Sequence, residues 1–219
     1  MSRSSLCPVC RHDRCRFFMS VAGRDYWRCP QCHATWLDPA QRLPHEQEKA
    51  EYDQHRNEVG DPGYRGFLSR LANELTPRLA PGARGLDFGC GPGPALVAML
   101  REQGFDAQGF DPFYAPDSQL LARRYDFITC TEVVEHLHVP AAVFEQLDAL
   151  LEPGGWLGVM TCFQTDDERF AGWHYRRDPT HVVFYREATM HWLARSLGWS
   201  CIVPRKDVAL FRKGPADCP

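Results

Sequence analysis

No run in this 219-residue chain approaches the roughly 20 consecutive apolar residues that a membrane-spanning helix requires, so no helical membrane span is expected. Met1-Ser2-Arg3-Ser4-Ser5 leads straight into cysteines without the apolar stretch of a secretory signal. The closing Asp217-Cys218-Pro219 lacks the layout of a prenylation box. A surplus of one charge sign is missing too: the formal net charge of -3 announces neither nucleic acid nor membrane as a partner of the whole chain. Internal repeats and low-complexity tracts are absent. What remains is the expectation of a cytoplasmic protein with a packed core. Its apolar fraction is 44%, and its length suits one α/β domain plus a small appendage.

Cysteine, by contrast, is abundant, with ten residues. In a reducing compartment a clustered subset reads as a metal site rather than as disulfides. Cys7-Pro8-Val9-Cys10 and Cys29-Pro30-Gln31-Cys32 are two C-x2-C knuckles with 18 residues between them, inside the spacing of a zinc ribbon. Each knuckle offers two thiolates from one turn, and together they complete a closed tetrahedral structural site. His12, Cys15 and His33 stand close enough to substitute, but the symmetric quartet needs no irregular loop. So small a module buries little apolar surface, so Zn2+ binding supplies folding free energy. The ribbon is placed at residues 1–38. Residues 1–37 carry six arginines against two aspartates, a surplus of four positive charges. With Phe17, Phe18, Tyr26, Trp27 and Trp36, that surplus suits RNA contact by charge and stacking; the same aromatics equally suit the filling of a small core.

Residues 39–82 read as a linker with N-terminal helices. Glu46-Gln47-Glu48-Lys49-Ala50-Glu51-Tyr52 has helix-forming composition. Over 64–79, Phe67, Leu68, Leu71, Leu75 and Leu79 share one helical face until Pro81-Gly82. Beyond residue 83, strands (85–88, 107–110, 125–130, 156–162) alternate with helices (94–103, 141–151). A helix over 187–197 and a hairpin of 199–203 with 208–212 follow. This alternation predicts an α/β, doubly wound, mostly parallel sheet with helices on both faces.

In such a sheet the ligand lies beyond the carboxyl ends of the strands, and the first strand-to-helix turn carries glycines. Leu86-Asp87-Phe88-Gly89-Cys90-Gly91-Pro92-Gly93 fits that place. Backbone must approach the ligand closely there and adopt positive φ, which glycine permits. Pro94 stands where a dinucleotide fingerprint wants glycine or alanine, which argues against NAD or FAD. Asp87 is placed to engage the ammonium of an amino-acid moiety. Asp111, about 20 residues beyond the turn, is at ribose-binding spacing.

These residues resemble the class I methyltransferase superfamily. Leu86 to Gly93 matches its first motif, Asp111 the ribose position, and Tyr125-Asp126-Phe127-Ile128-Thr129-Cys130 the fourth strand. Leu151-Glu152-Pro153-Gly154-Gly155-Trp156 matches the turn before the fifth. The resemblance implies a seven-stranded Rossmann-like sheet, S-adenosylmethionine as methyl donor, and cofactor contacts from Asp87, Gly89, Cys90, Gly91, Gly93, Asp111 and Thr131.

After the fourth strand comes Thr131-Glu132-Val133-Val134-Glu135-His136-Leu137-His138. Two carboxylates and an imidazole leaving one strand end suit Mg2+, Mn2+ or another borderline divalent ion. This run is similar to the Glu-x-x-Glu-His of ubiquinone-pathway O-methyltransferases, where a divalent metal is implied. It also resembles the small-RNA 3′-terminal 2′-O-methyltransferases, which add a later histidine. Asp178-Pro179-Thr180-His181-Val182-Val183-Phe184-Tyr185-Arg186-Glu187 looks like that later element, with Tyr185 in place of Thr. Glu132, Glu135, His136 and His181 are therefore the candidate catalytic residues and second-metal ligands; without metal, His136, His181 or His174 is the candidate base. Phe163, Phe170, Trp173, His174, Tyr175, Arg176 and Arg177 are expected to line or cover the acceptor pocket. The expected reaction is O-methylation of a small-molecule or RNA hydroxyl. The alternatives are N- or C-methylation of an RNA base, since some ribosomal RNA guanine methyltransferases also carry a zinc ribbon, and a non-catalytic cofactor-binding regulator.

Overall fold

The computed structural model describes residues 6–54 and 58–215. Residues 1–5, 55–57 and 216–219, including the segments read above at either end of the chain, lie outside the described residues.

The N-terminal module opens with a hairpin of β1 (Arg16–Val21) and β2 (Arg24–Arg28). Ala22 and Gly23 form its turn with φ of 53° and 77°, the paired left-handed geometry whose twist matches a two-residue hairpin. β3 (Thr35–Leu37) pairs antiparallel with β2. Two helices follow: α1 (His45–Tyr52) and α2 (Pro62–Leu75). Asp61 caps α2 by accepting the Tyr64 N–H, and Pro62 fits the first turn, where its missing donor costs nothing. The helix expected over 64–79 stops at Leu75. Pro77 has no N–H to continue the ladder, and residues 76–78 tighten into a 3-10 turn.

The main domain runs β4 (Arg84–Phe88), α3 (Ala95–Glu102), β5 (Asp106–Phe110), β6 (Tyr125–Thr131), α4 (Pro140–Leu150), β7 (Leu151–Met160), the short α5 (Asp167–Phe170), β8 (Val183–Phe184), α6 (Glu187–Ser196), β9 (Ser200–Arg205) and β10 (Val208–Arg212). The sheet order is β5-β4-β6-β7-β10-β9. Its first four strands are parallel, and β10 runs antiparallel to both neighbours. Among the described residues this sheet has six strands, not the seven that the resemblance implied. Between β5 and β6 only residues 111–124 intervene, interrupted by Pro112 and Pro116, and a parallel crossover alone takes about a dozen residues. A short 3-10 helix over 118–122 occupies the connection, and β5 becomes the edge.

Side-chain alternation along the strands divides the core. Phe127, Met160, Val208 and Leu210 meet Leu68, Leu71 and Leu75 of α2 and Leu96 and Leu100 of α3. Ile128, Leu157, Val159 and Phe211 face the other way, in one cluster with Phe144 and Leu147 of α4 and Met190 and Leu193 of α6. That second cluster also contains Tyr26, Trp36 and Leu37 of the N-terminal module. The two regions share backbone as well, because β8 completes the module's sheet in the order β1-β2-β3-β8. Gly85 and Gly158 let elements close up: a Cβ on Gly85 would run into the Phe127 ring, and one on Gly158 would press against Leu71.

Candidate active site

β4 delivers the glycine turn to the carboxyl edge of the sheet. Gly89 and Gly91 have φ of 81° and 64°, and the N–H groups of Gly89 and Cys90 donate to the Phe110 carbonyl at 2.7 and 3.1 Å. A Cβ on Gly89 would overlap the Val133 side chain. Gly93 is buried and its carbonyl accepts the Ala95 N–H. Asp87 is 5% exposed, and its Oδ1 accepts the Thr129 hydroxyl at 2.7 Å. Burial pushes its carboxyl up to about 6, the nearby Asp111 adding to the shift and the Thr129 bond opposing it. Asp111 accepts three N–H groups, from Gly91 on Oδ2 and from Phe113 and Tyr114 on Oδ1. Cys90 packs toward Gly109, and burial lifts its thiol to about 12, which keeps it a neutral thiol in the turn. The Thr131 hydroxyl, at the end of β6, is buried without a hydrogen-bond partner among the described residues.

The chain leaves β6 through Glu132, whose φ of 51° is left-handed, an unusual conformation for a non-glycine residue. The following 3-10 turn, Val134–His136, carries Glu135 and His136. Of the four residues expected to converge, Glu135, His136 and His181 do so, with ligand atoms all within 4.8 Å of one another. Glu132 stands outside that trio, tied to it through the Tyr175 hydroxyl, which lies 3.2 Å from Glu132 Oε2 and 2.6 Å from Glu135 Oε1. His136 Nδ1 lies 3.2 Å from the Thr180 carbonyl, and His181 Nδ1 lies 2.7 Å from the Tyr175 carbonyl. A carbonyl only accepts, so both rings carry their proton on Nδ1, which makes Nε2 the basic nitrogen of each neutral ring.

Glu135 is fully buried. One carboxylate oxygen engages Tyr175, while Oε2 has no hydrogen-bond partner among the described residues. Burial raises the Glu135 carboxyl, opposed by His181 and the Tyr175 bond, and lowers the His181 imidazole. Glu132 is pushed up to about 9 by burial and by the charge of Glu135. A divalent cation would reverse these shifts, and a two-imidazole, one-carboxylate trio with a buried, unpartnered oxygen is a donor set that fits one.

The cysteine quartet also assembles. Cys7 Sγ lies 3.6 Å from Cys32 Sγ, and Cys10 Sγ lies 3.4 Å from Cys29 Sγ. Zn–S bonds of about 2.3 Å in a tetrahedron require sulfur separations of about 3.8 Å, close to these. Both knuckles turn alike: the Arg11 N–H donates to the Cys7 carbonyl and the His33 N–H to the Cys29 carbonyl, with φ of 59° and 63° at Arg11 and His33. Cys15 borders the quartet without joining it: its thiol donates to the His12 carbonyl and is raised to about 12 by burial, with Cys29 and Cys10 adding to the shift.

Two residues of the expected acceptor-pocket wall, Phe170 and Arg176, form the seam with the N-terminal module. Phe170 is fully buried among Phe18, Tyr26, Phe184 and Trp173, and Arg176 donates to the Tyr26 hydroxyl and to the Phe170 and Ala171 carbonyls. Trp173, His174 and Arg177 rim an open hollow. Of that group, Tyr175 reaches the carboxylates. On the module, Tyr26 and Trp36 are fully buried, Arg28 pairs with Asp167, and Arg11 pairs with Glu145, so these aromatics and charges face inward or across the seam. Sequence reasoning missed the hydroxyl partners Thr129 and Thr161 and the cover supplied by α1. There Tyr52 sets its ring 5.2 Å from His136, and the buried Glu48 holds His138 at 2.6 Å. No motif marks these, because each acts through a contact remote in sequence.

Comparison with known proteins agrees with this geometry. A family model described as a methyltransferase domain matches residues 61–203. Two curated relatives are ubiquinone biosynthesis O-methyltransferases. That of Histophilus somni (strain 2336) is 28% identical over 49% of this chain and 52% of its own length. That of Bordetella avium (strain 197N) is 32% identical over 42% of this chain and 45% of its own length. The chain thus spans about half the length of the curated relatives it matches. Among solved structures, 1,6-didemethyltoxoflavin-N1-methyltransferase of Burkholderia thailandensis, with bound 1,6-didemethyltoxoflavin and S-adenosylhomocysteine, superposes with a TM-score of 0.55 at 18% identity, covering 90% of this chain and 98% of that one. Magnesium protoporphyrin IX methyltransferase of Synechocystis PCC 6803, with bound SAH, gives 0.51 at 16% identity over 77% and 94%. At such identities the structures speak to fold. The chain belongs to the methyltransferase-domain family, and its main sheet has the fold of S-adenosylmethionine-dependent methyltransferases.

Proposed function

We propose that this enzyme methylates a hydroxyl oxygen of a small molecule, with Glu135, His136 and His181 holding a divalent cation beside the acceptor. The observation that carries the proposal is the arrangement of the two histidines: each Nδ1 is anchored to a backbone carbonyl while its ring lies beside Glu135. Metal-ligating histidines are characteristically fixed through their second nitrogen in this way. The names of the curated relatives support an oxygen acceptor.

Methyl transfer forms an O–CH3 bond as the S–CH3 bond breaks, its electron pair staying on sulfur to give S-adenosylhomocysteine as leaving group, and the hydroxyl proton of the acceptor passes to solvent water. A divalent cation at the trio would lower the pKa of that hydroxyl and fix its oxygen. The chain's own residues supply the positioning that an already activated methyl group demands. The turn at Gly89 to Gly93 admits the donor close to backbone, Asp87 on β4 and Asp111 just past the end of β5 present carboxylates, and Thr129 orients Asp87. Tyr52 and Glu48 of α1 cover the edge at which His136 and His138 emerge. The cysteine quartet is assigned a structural Zn2+, which Cys7, Cys10, Cys29 and Cys32 would enclose without an open position. Tyr26 and Trp36 of this module are fully buried and Phe17 is its one exposed aromatic among those offered for stacking, so a small acceptor is preferred over RNA.

The test supplies full-length protein with methyl-labelled S-adenosylmethionine and a panel of catechols, phenols, amines and RNA, with and without added Mn2+ or Mg2+. Label entering a hydroxylated small molecule in wild type, with loss in Glu135→Gln and His181→Ala, is expected. Label entering only nitrogen or carbon positions, or transfer unchanged in both variants, overturns the proposal.

A further inference from the structure

Tyr175 lies in a 3-10 turn, His174–Arg177, in which Arg176 reaches the seam and His174 and Arg177 rim an open hollow, while its own side chain enters the carboxylate cluster. It touches the trio at three points. Its hydroxyl lies 2.6 Å from Glu135 Oε1, its backbone carbonyl lies 2.7 Å from His181 Nδ1, and its ring centroid lies 4.1 Å from that of His181. Thr161 Oγ1 approaches the same phenol oxygen at 3.0 Å.

A phenol has one proton to donate, and the Glu135 contact, at 2.6 Å and to a buried carboxylate, is the shortest of its side-chain contacts. Thr161, the residue that follows β7, sets its hydroxyl 3.0 Å from the phenol oxygen, which leaves that oxygen free to accept from it. Held by Tyr175 and lying 3.8 Å from His136 Nε2, Oε1 keeps a second lone pair on the histidine side, while Oε2 is buried without a hydrogen-bond partner among the described residues, so the carboxylate cannot rotate freely and still has acceptor capacity for a ligand. At the other end of the same residue, the carbonyl sets the His181 tautomer, so that Nε2 carries the lone pair.

We infer that Tyr175 is the positioning residue of the site, orienting Glu135 through its hydroxyl and His181 through its carbonyl so that their remaining donor atoms converge on one cation. The inference rests on the cation-binding reading given above. Tyr175 does not itself bind the ion or donor, and its phenol oxygen is fully engaged by protein groups. Outer partners of this kind characteristically change metal affinity by about 10- to 100-fold when removed.

Tyr175→Phe isolates the hydroxyl, because ring and backbone carbonyl persist. Mn2+ is titrated into full-length wild type, Tyr175→Phe and His181→Ala, each carrying its cysteine-bound zinc, with free Mn2+ followed by electron paramagnetic resonance. S-adenosylhomocysteine affinity is measured in parallel to verify that the donor site and fold are intact. Expected are Mn2+ binding by wild type, loss of binding in His181→Ala, and about 10- to 100-fold weaker binding in Tyr175→Phe with S-adenosylhomocysteine affinity unchanged. Mn2+ binding by Tyr175→Phe within twofold of wild type, with His181→Ala inactive in binding, overturns the role of Tyr175 and leaves the cation site standing. Equal loss of Mn2+ and S-adenosylhomocysteine affinity in Tyr175→Phe overturns it as well, assigning the residue to packing. Absence of Mn2+ binding by wild type overturns the cation reading and the inference together.

Discussion

Phe170→Ala probes whether the cysteine module is fastened to the main domain or merely appended to it. Phe170 is fully buried, with ring centroids 4.9 Å from Tyr26, 5.3 Å from Phe18 and 5.3 Å from Phe184, all edge-on. Tyr26 and Phe18 belong to the module, Phe184 to β8. Truncating a buried phenylalanine costs about 3–5 kcal/mol in lost transfer energy and residual cavity, and each well-oriented aromatic pair adds about 0.5–1.5 kcal/mol beyond area. These terms overlap, so a loss of about 4 kcal/mol is expected, equivalent to about 8–16 °C in melting temperature for a protein of this size. Urea unfolding followed by tryptophan fluorescence, with zinc release followed by a chromophoric chelator, provides the assay. The wild-type protein should lose zinc and main-domain structure in one transition, and the variant should shift that transition as a whole to lower urea. A loss below about 1 kcal/mol, or zinc release well separated from main-domain unfolding in the wild type, would refute the view that the two share one core.

Replacing Gly89 with Ala puts a Cβ at φ 81° and against Val133, so cofactor affinity and stability should both fall. Pairing it with Val133→Ala should restore the packing share but not the backbone share of about 1–2 kcal/mol, as read by thermal shift and by S-adenosylhomocysteine calorimetry. For Asp87, whose folded pKa of about 6 lies above the ordinary carboxylate value, the native state binds more protons between about pH 4 and 6. Its contribution therefore worsens as pH rises through that window, by on the order of 3 kcal/mol in total. Asp87→Asn should gain stability relative to wild type at pH 8 but not at pH 4, while binding cofactor less well; equal stability differences at both pH values would contradict the burial argument. Chelation sufficient to strip the cysteine quartet should abolish S-adenosylmethionine turnover and lower the melting temperature, and zinc alone should restore the latter. Glu132 lies outside the converging trio, so Glu132→Gln should retain Mn2+ binding within about threefold, whereas Glu135→Gln should lose about 100-fold or more; equal losses in the two variants would place Glu132 among the ligands.

Much of the fold is legible because period and punctuation agree. The strand at 85–88 and the helix that follows the glycine turn emerge within a residue or two of the expected bounds, and the 208–212 strand emerges at the expected residues. Leu151-Glu152-Pro153-Gly154-Gly155-Trp156 was expected as a turn before a strand beginning at 156. In the structure β7 already starts at Leu151, and Gly154, with φ of 78°, kinks it where the β6 register shifts. Val183–Phe184 was read as part of a ligand-bearing segment and not as a strand, because two residues show no period; its strand character comes from the β3 edge supplied far away in sequence. The candidate site was legible where chemistry is carried by local spacing, as in Glu135-His136 and the C-x2-C knuckles. It was not legible where a side chain meets its partner across the fold. Arg176 and Phe170 have the composition of a pocket wall, and only the presence of Tyr26 opposite them makes them a seam.

That seam also ties the cysteine module to the chemistry. The Leu37 N–H, at the end of β3, donates to the Val182 carbonyl at 2.9 Å, and the Val182 N–H donates to the Glu135 carbonyl at 2.9 Å. One backbone row therefore runs from the module through the residue next to His181 to the peptide that carries Glu135. A second connection runs from the Thr35 hydroxyl to Gln164, whose N–H donates to the Tyr185 carbonyl, and the Tyr185 hydroxyl returns to the Val134 carbonyl beside Glu135. Tyr185 is the residue that departs from the threonine of the small-RNA enzymes, and here its buried ring and hydroxyl brace the turn from beneath. A short turn bearing a buried carboxylate has little intrinsic stability, because few of its backbone groups bond within it. Its geometry must be imposed by neighbours, and in this chain two of those neighbours are β3 and β8, which pair with each other in the sheet of the cysteine module.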